Sequence, residues 1–238
     1  MFQFGNAGAA GTGAITTFAG VTISTPTGEV TIANTIVFGV GGYTIILAKD
    51  KTSKATFTGT WSGLGGWKKM GDGAIVLPIA NSYSYGTELA GGTVLVGHAD
   101  ALSSNVNAGV RVTTNTMVKP IVTGISLTEH DYDLVVDTII ESAFANFNVQ
   151  GNNRGAGKFI LQGGGNITQT PSGTSANNMT GDIVIKTNTT YAQGSAGAIT
   201  SGKVTGEAGS QFTTDATTGP RLVGASAEAA PSRFIMTF

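Results

Sequence analysis

Five neighbouring residues, Glu129-His130-Asp131-Tyr132-Asp133, form the densest group of chemistry-bearing side chains in the chain. Carboxylates of this kind ligate hard cations such as Ca²⁺. The Asp-x-Asp-x-Asp-Gly spacing that would wrap them around one ion is absent, so the segment reads as a solvated turn and no metal is expected. His98 is the only other histidine and follows a strand pattern in a glycine-rich corner, which reads as a surface position. The absence of Cys excludes a thiolate nucleophile, a thiolate metal site and disulfides together. No Ser, His and Asp stand at a spacing that suggests a nucleophile, a base and an orienting group. Gly5, Gly8, Gly11 and Gly13 look like a phosphate-cradling loop in composition only, because no strand precedes them and neither Lys nor a helix start follows. The expectation is a chain with no catalytic residue, no cofactor and no metal.

Binding chemistry is suggested by Trp61, Trp67, Tyr83 and Tyr85, which lie close in sequence. Aromatic rows on a β-surface stack against sugar rings, so these four are candidate glycan contacts; the competing reading is that they fill the interior. Three Asn-x-Thr triplets, at Asn166, Asn178 and Asn188, match the glycosylation pattern but also follow from the richness in Asn and Thr. Net charge is −1 and the Lys and Arg residues are scattered, so no footprint for nucleic acid or an anionic membrane is visible.

The elements that must position these residues are strands. Gly numbers 36 of 238 residues, Thr is about as frequent, and only 11% of residues are charged. Gly and β-branched residues disfavour helices, whereas they suit tight turns and pleated surfaces. Period-two alternation runs through Val21-Thr22-Ile23, Val30-Thr31-Ile32, Ala55 to Thr58, Thr93 to Val96, Val110-Arg111-Val112, Asp182 to Ile185 and Lys203-Val204-Thr205. A helix can be drawn through Leu134, Ile139 and Phe144, but the β-branched Val135, Val136, Ile139 and Ile140 favour strands there as well. No run of about 18 apolar residues exists, which excludes a membrane-spanning helix. The first basic residue is Lys49, so the N-terminus lacks the basic region of a secretory signal.

Two segments, from Gly66 and from Gly155, share an order of features: a Gly-x-Gly turn, an apolar strand, Asn, a glycine turn and a second strand. Such a unit cannot cover its own apolar face, and stacking of successive coils buries it. The expected inward residues in the better copy are Ile75, Leu77, Val94 and Val96.

The segment from Ala55 to Ser104 resembles the autotransporter-associated β-strand repeat of bacterial surface passenger domains. The residues that carry the likeness are Trp61-Ser62-Gly63, Gly65-Gly66-Trp67-Lys68, Gly71-Asp72-Gly73, Ala74 to Leu77, Asn81-Ser82-Tyr83, Tyr85-Gly86-Thr87 and Gly91 to Leu95. A weaker copy spans 139–202. The resemblance implies a right-handed β-helix without enzymatic activity; the membrane barrel that accompanies such passengers has no counterpart here.

The expected architecture is therefore an all-β, right-handed β-solenoid over 14–218, with an extended N-terminal arm over 1–13 and a C-terminal extension and strand over 219–238. The expected role is a structural protein that assembles with itself and with other components of a virion or extracellular surface assembly. Phe2, Phe4, Phe234, Met236 and Phe238 are the expected assembly contacts. A surface-displayed, glycan-binding adhesin fragment is the alternative. A polysaccharide-active enzyme ranks last, since it would need Asp, Arg or Lys clustered on one sheet.

Overall fold

In a computed structural model, which describes residues 1–4, 10–170, 178–193, 203–215 and 233–237, the chain winds into a β-solenoid of about nine turns with parallel strands. Among the described residues the strands fall on three faces that the chain visits in the same order. The first face stacks Phe2–Gln3, Thr22–Ser24, Tyr43–Leu47 and Gly66–Met70, and ends with Tyr132–Leu134, Asn153–Gly155 and Asn178–Met179. The second stacks Glu29–Ile32, Lys54–Phe57 and Ala74–Leu77, and ends with Thr138–Glu141, Phe159–Gln162, Ile183–Ile185 and Val204–Gly206. Midway, the long strands Thr87–Val96 and Val110–Pro120 cross from the first face to the second without a break.

The third face is less regular. Ile15–Thr17, Ile36–Phe38 and Trp61–Gly63 pair at one end, and Phe147–Gln150, Asn166–Thr170, Thr190–Gln193 and Gln211–Asp215 pair at the other. Between them the turns close through loops and one short 3-10 turn, Ala99–Leu102. Asn81 clips this stretch: its Oδ1 accepts from the Trp61 amide at 2.8 Å and its Nδ2 donates to the Ala101 carbonyl at 2.8 Å.

The alternation in the sequence becomes a set of columns. Val30, Ala55, Ile75, Val94, Val118, Ile140, Leu161 and Ile185 follow one another in register and are all buried. Leu77 and Val96 stack beside them, so all four expected inward residues face the interior. Burial of each such side chain contributes roughly 1.5–3 kcal/mol, and the neighbouring turn supplies most of the cover. Coils can approach this closely only where side chains are missing. A Cβ on Gly65 would lie 2.2 Å from the Gly39 carbonyl oxygen.

Both ends differ from the sequence expectation or refine it. Residues 2–4 are not a free arm: Phe2–Gln3 pairs in parallel with Ile23 and Ser24, and the Phe4 ring is fully buried with the Phe2 ring edge-on against it at 5.2 Å. The alternation that exposes Phe2 turns Phe4 inward, so Phe4 is a core residue and not an assembly contact. Arg233–Thr237, which contains Phe234 and Met236, pairs antiparallel with Gln211–Asp215 on the third face, and Phe238 lies outside the described residues.

Leu77→Asp places a charge inside the column and is expected to cost about 4 kcal/mol, enough to unfold a marginal domain. The exposed Thr31→Gln is expected to change stability by less than about 0.5 kcal/mol. Urea unfolding followed by circular dichroism separates the two.

Candidate functional site

Strand periodicity decides the fate of the aromatic group. Trp61, at the start of its third-face strand, and Trp67, on the first face, both fall on inward positions and are fully buried with Tyr83. Their rings form one edge-to-face cluster: Trp61 lies 4.9 Å from Trp67, 4.8 Å from Phe57 and 5.6 Å from Phe38, and Tyr83 lies 5.8 Å from Phe38. The Tyr83 hydroxyl shares a 2.6 Å hydrogen bond with Thr87, and burial raises its pKa well above the ordinary value. The expectation of glycan contact therefore fails for Trp61, Trp67 and Tyr83, which fill the coil. Tyr85 alone among the four is exposed, and its ring meets that of Tyr43 edge-on at 5.1 Å across the intervening turn.

The same periodicity splits the acidic segment. His130 and Tyr132 point inward and are buried, while Glu129 and Asp131 are exposed, so the solvated-turn expectation holds only for alternate residues. His130 Nε2 lies 3.1 Å from the Ser103 carbonyl, and desolvation pulls the imidazole pKa below its ordinary value. Asp131 faces Arg154 at 3.7 Å and Asp133 faces Arg111 at 3.4 Å, so both carboxylates have cationic partners. Among the described residues no group of three or more His, Asp and Glu is placed to share a metal ion. His98 is at the surface, where Nδ1 accepts from the Asp100 amide at 3.0 Å.

Three features escaped the sequence reading. One is a pair of charge ladders, the first on the outside of the first face, where Lys68, Glu88, Arg111, Asp133 and Arg154 alternate in sign at one position on five successive turns. Lys68 Nζ reaches Glu88 at 2.8 Å. A second ladder runs down the second face, with Lys119 2.5 Å from Glu141, Gln162 donating to Glu141 at 2.7 Å, and Lys186 2.6 Å from Glu207. The charges become legible only once the register is known.

Another is Lys69, which stands in an inward column between Ile46 and Leu89 and is fully buried. Its ammonium turns to the bend between the first and second faces and donates to the Gly71 carbonyl at 2.7 Å. Gly92 covers it, with φ +66° and room for a hydrogen only, since a Cβ would lie 2.5 Å from Lys69 Nζ. Burial brings the pKa down to about 8, against a smaller opposing pull from Asp72. Chemically this is a sealed amine that caps carbonyls at a corner.

The last is an exposed apolar ridge. Phe18, Val40, Leu64, Tyr85 and Val106 are between 53% and 69% exposed. Each lies within four residues of the strand that enters the first face on its turn, so the five mark one corner over consecutive turns.

Comparison with family models, curated proteins and solved structures returned no match. The likeness to the autotransporter-associated repeat accordingly rests on its motifs alone.

The buried groups set a pH profile. Lys69 titrates at about 8 when folded and near 10.5 when unfolded, so its contribution to stability is fully present above 10.5 and is lost as pH falls to about 8. The gap is worth about 3 kcal/mol. Tyr83, Tyr132 and Tyr191 have folded pKa values raised by burial, so their contribution is present below pH 10.0 and is lost above it. Chemical denaturation should show stability rising from pH 8 to 10 and then falling, and Lys69→Met should remove the rise while leaving the fall.

Proposed function

We propose that this chain is a non-enzymatic structural protein that assembles into, or decorates, a larger particle such as a virion, fibre or filament. One observation carries the reading. Ionisable side chains on successive turns are engaged with one another: Glu88 with Lys68, Asp133 with Arg111, Glu141 with Lys119, Glu207 with Lys186. Each contact ties one coil to the next, which is the arrangement of a stiff rod. The inward columns serve the same end, since a solenoid gains stability by nearest-neighbour stacking. Phe2, exposed at the first turn, and the strand Arg233–Thr237 with Phe234 and Met236 are the proposed contacts with neighbouring subunits.

A second reading, a surface-displayed adhesin, is favoured by the repeat motifs and by the Tyr43 and Tyr85 ring pair above Gly66, where a Cβ would lie 2.2 Å from the Gly86 oxygen. A flat backbone floor beside aromatic rings accepts a sugar face.

Removal of 233–237 is expected to leave the circular dichroism spectrum nearly unchanged and to abolish incorporation into particles or filaments, read by sedimentation and electron microscopy. Retained incorporation would refute the assembly contacts. Glycan binding lost in Tyr85→Ser by a monomeric protein would favour the adhesin. Turnover of pectin, alginate or chitin oligosaccharides would overturn both.

A further inference from the structure

We propose that two copies of the chain associate side by side along the corner ridge of Phe18, Val40, Leu64, Tyr85 and Val106, about a two-fold axis perpendicular to the solenoid. The inference rests on the assembly reading and adds a lateral contact distinct from the ends.

The ridge is built, not incidental. One large apolar side chain protrudes at the same corner on each of five turns, in a chain where only 11% of residues are charged. The Phe18 ring lies over the next turn, so close that a Cβ on Gly39 would come within 2.6 Å of it, and a Cβ on Gly42 would meet Ala19 at 3.4 Å. Beside Phe18 and Val40 the exposed ground is small: Ala19 and Gly41 are exposed and Gly42 is half-buried. Contiguous exposed apolar surface of this kind marks an interaction site.

The occupant follows from chemistry and period. The five ridge residues are uncharged and Lys68, four positions after Leu64, is neutralised by Glu88, which disfavours nucleic acid and anionic lipid. Val40, Leu64 and Val106 offer a sugar no hydrogen bonds, whereas aliphatic and aromatic side chains together are the composition of a protein interface core. The ridge repeats at the spacing of stacked strands, about 4.8 Å. A second copy has the same period, so antiparallel apposition sets the protrusions of one along the ridge of the other.

Charge selects the register. Lys68 and Glu88 flank the ridge on the Leu64 and Tyr85 turns and already pair at 2.8 Å within one chain. A two-fold axis between these turns sets Leu64 against the partner's Tyr85 and Val40 against the partner's Val106. The same axis brings Lys68 to the partner's Glu88, and Glu88 to the partner's Lys68. A shift by one turn would oppose Lys68 to the partner's Lys68. Self-complementary contacts of this type close as dimers and do not propagate.

Sedimentation equilibrium of the full chain tests the proposal. The wild type is expected at twice 24.0 kDa, and Leu64→Asp at the monomer mass with an unchanged circular dichroism spectrum and Tm, since Leu64 is exposed. Lys68→Glu is expected to weaken dimerisation at least tenfold, and Lys68→Glu with Glu88→Lys to restore it. A wild type that stays monomeric at its highest soluble concentration overturns the proposal, as does a Leu64→Asp dimer, or a monomer that uses the ridge for a polysaccharide or another protein. Particle incorporation is read separately. A dimer that enters no particle sinks the assembly reading while the ridge contact stands, and a monomer that enters particles does the reverse.

Discussion

In-register parallel stacking is the constraint on which every other feature depends. Each residue lies about 4.8 Å from the residue at the same position on the turns before and after. An apolar position inside must be matched by apolar neighbours, as in the column from Val30 to Ile185. A charged position outside cannot repeat its own sign. Surface ion pairs contribute at most about 1 kcal/mol each, whereas like charges at strand spacing would oppose the stack along its length. Alternation from Lys68 to Arg154 is therefore what allows ionisable residues on a parallel solenoid at all.

Lys69 shows the constraint under tension. It interrupts an apolar column, yet its long stem packs between Ile46 and Leu89 while the ammonium escapes to the carbonyl of Gly71. The bend there is where the first face passes into the second, and the next two turns cross it as unbroken strands. A cation at the bend supplies the Gly71 oxygen with a charged donor, while the Met70 oxygen already accepts from the Ala48 amide. The cost is desolvation of the amine, visible in its lowered pKa. Gly92 on the next turn, and not a larger residue, leaves room for it.

Strands, their inward faces and the repeat were legible because alternation is local: Ile75, Leu77, Val94 and Val96 announce their side by spacing alone. What was hidden depends on where each strand begins. Trp61, Trp67 and Tyr83 are as suited to a sugar platform as to a core, and a shift of one residue exchanges the two roles. Glu129 to Asp133 read as a solvated turn because its charges dominate, although His130 and Tyr132 alternate inward like any other strand pair. Phe4 was misplaced for a related reason, since the glycines that follow it mask a two-residue strand. The charge ladders and the corner ridge could not be seen, because their successive members are 20 or more positions apart in sequence and meet only through the register.

The three faces differ in how much variation they tolerate. Long continuous ladders on the first two faces hold the pitch, and a change in either propagates to both neighbouring turns. The third face is interrupted between Trp61–Gly63 and Phe147–Gln150, and its turns are tied by side chains instead. Asn81 clips three coils, Ser103 donates to the Tyr83 carbonyl at 2.6 Å, and Thr128 donates to Asp100. Loops held this way can change length without disturbing the ladders, so the third face and its corner are where a solenoid acquires surface chemistry of its own. The apolar ridge lies on that corner: Phe18, Val40 and Leu64 follow the paired strands Ile15–Thr17, Ile36–Phe38 and Trp61–Gly63, and Tyr85 and Val106 carry it onto the interrupted stretch.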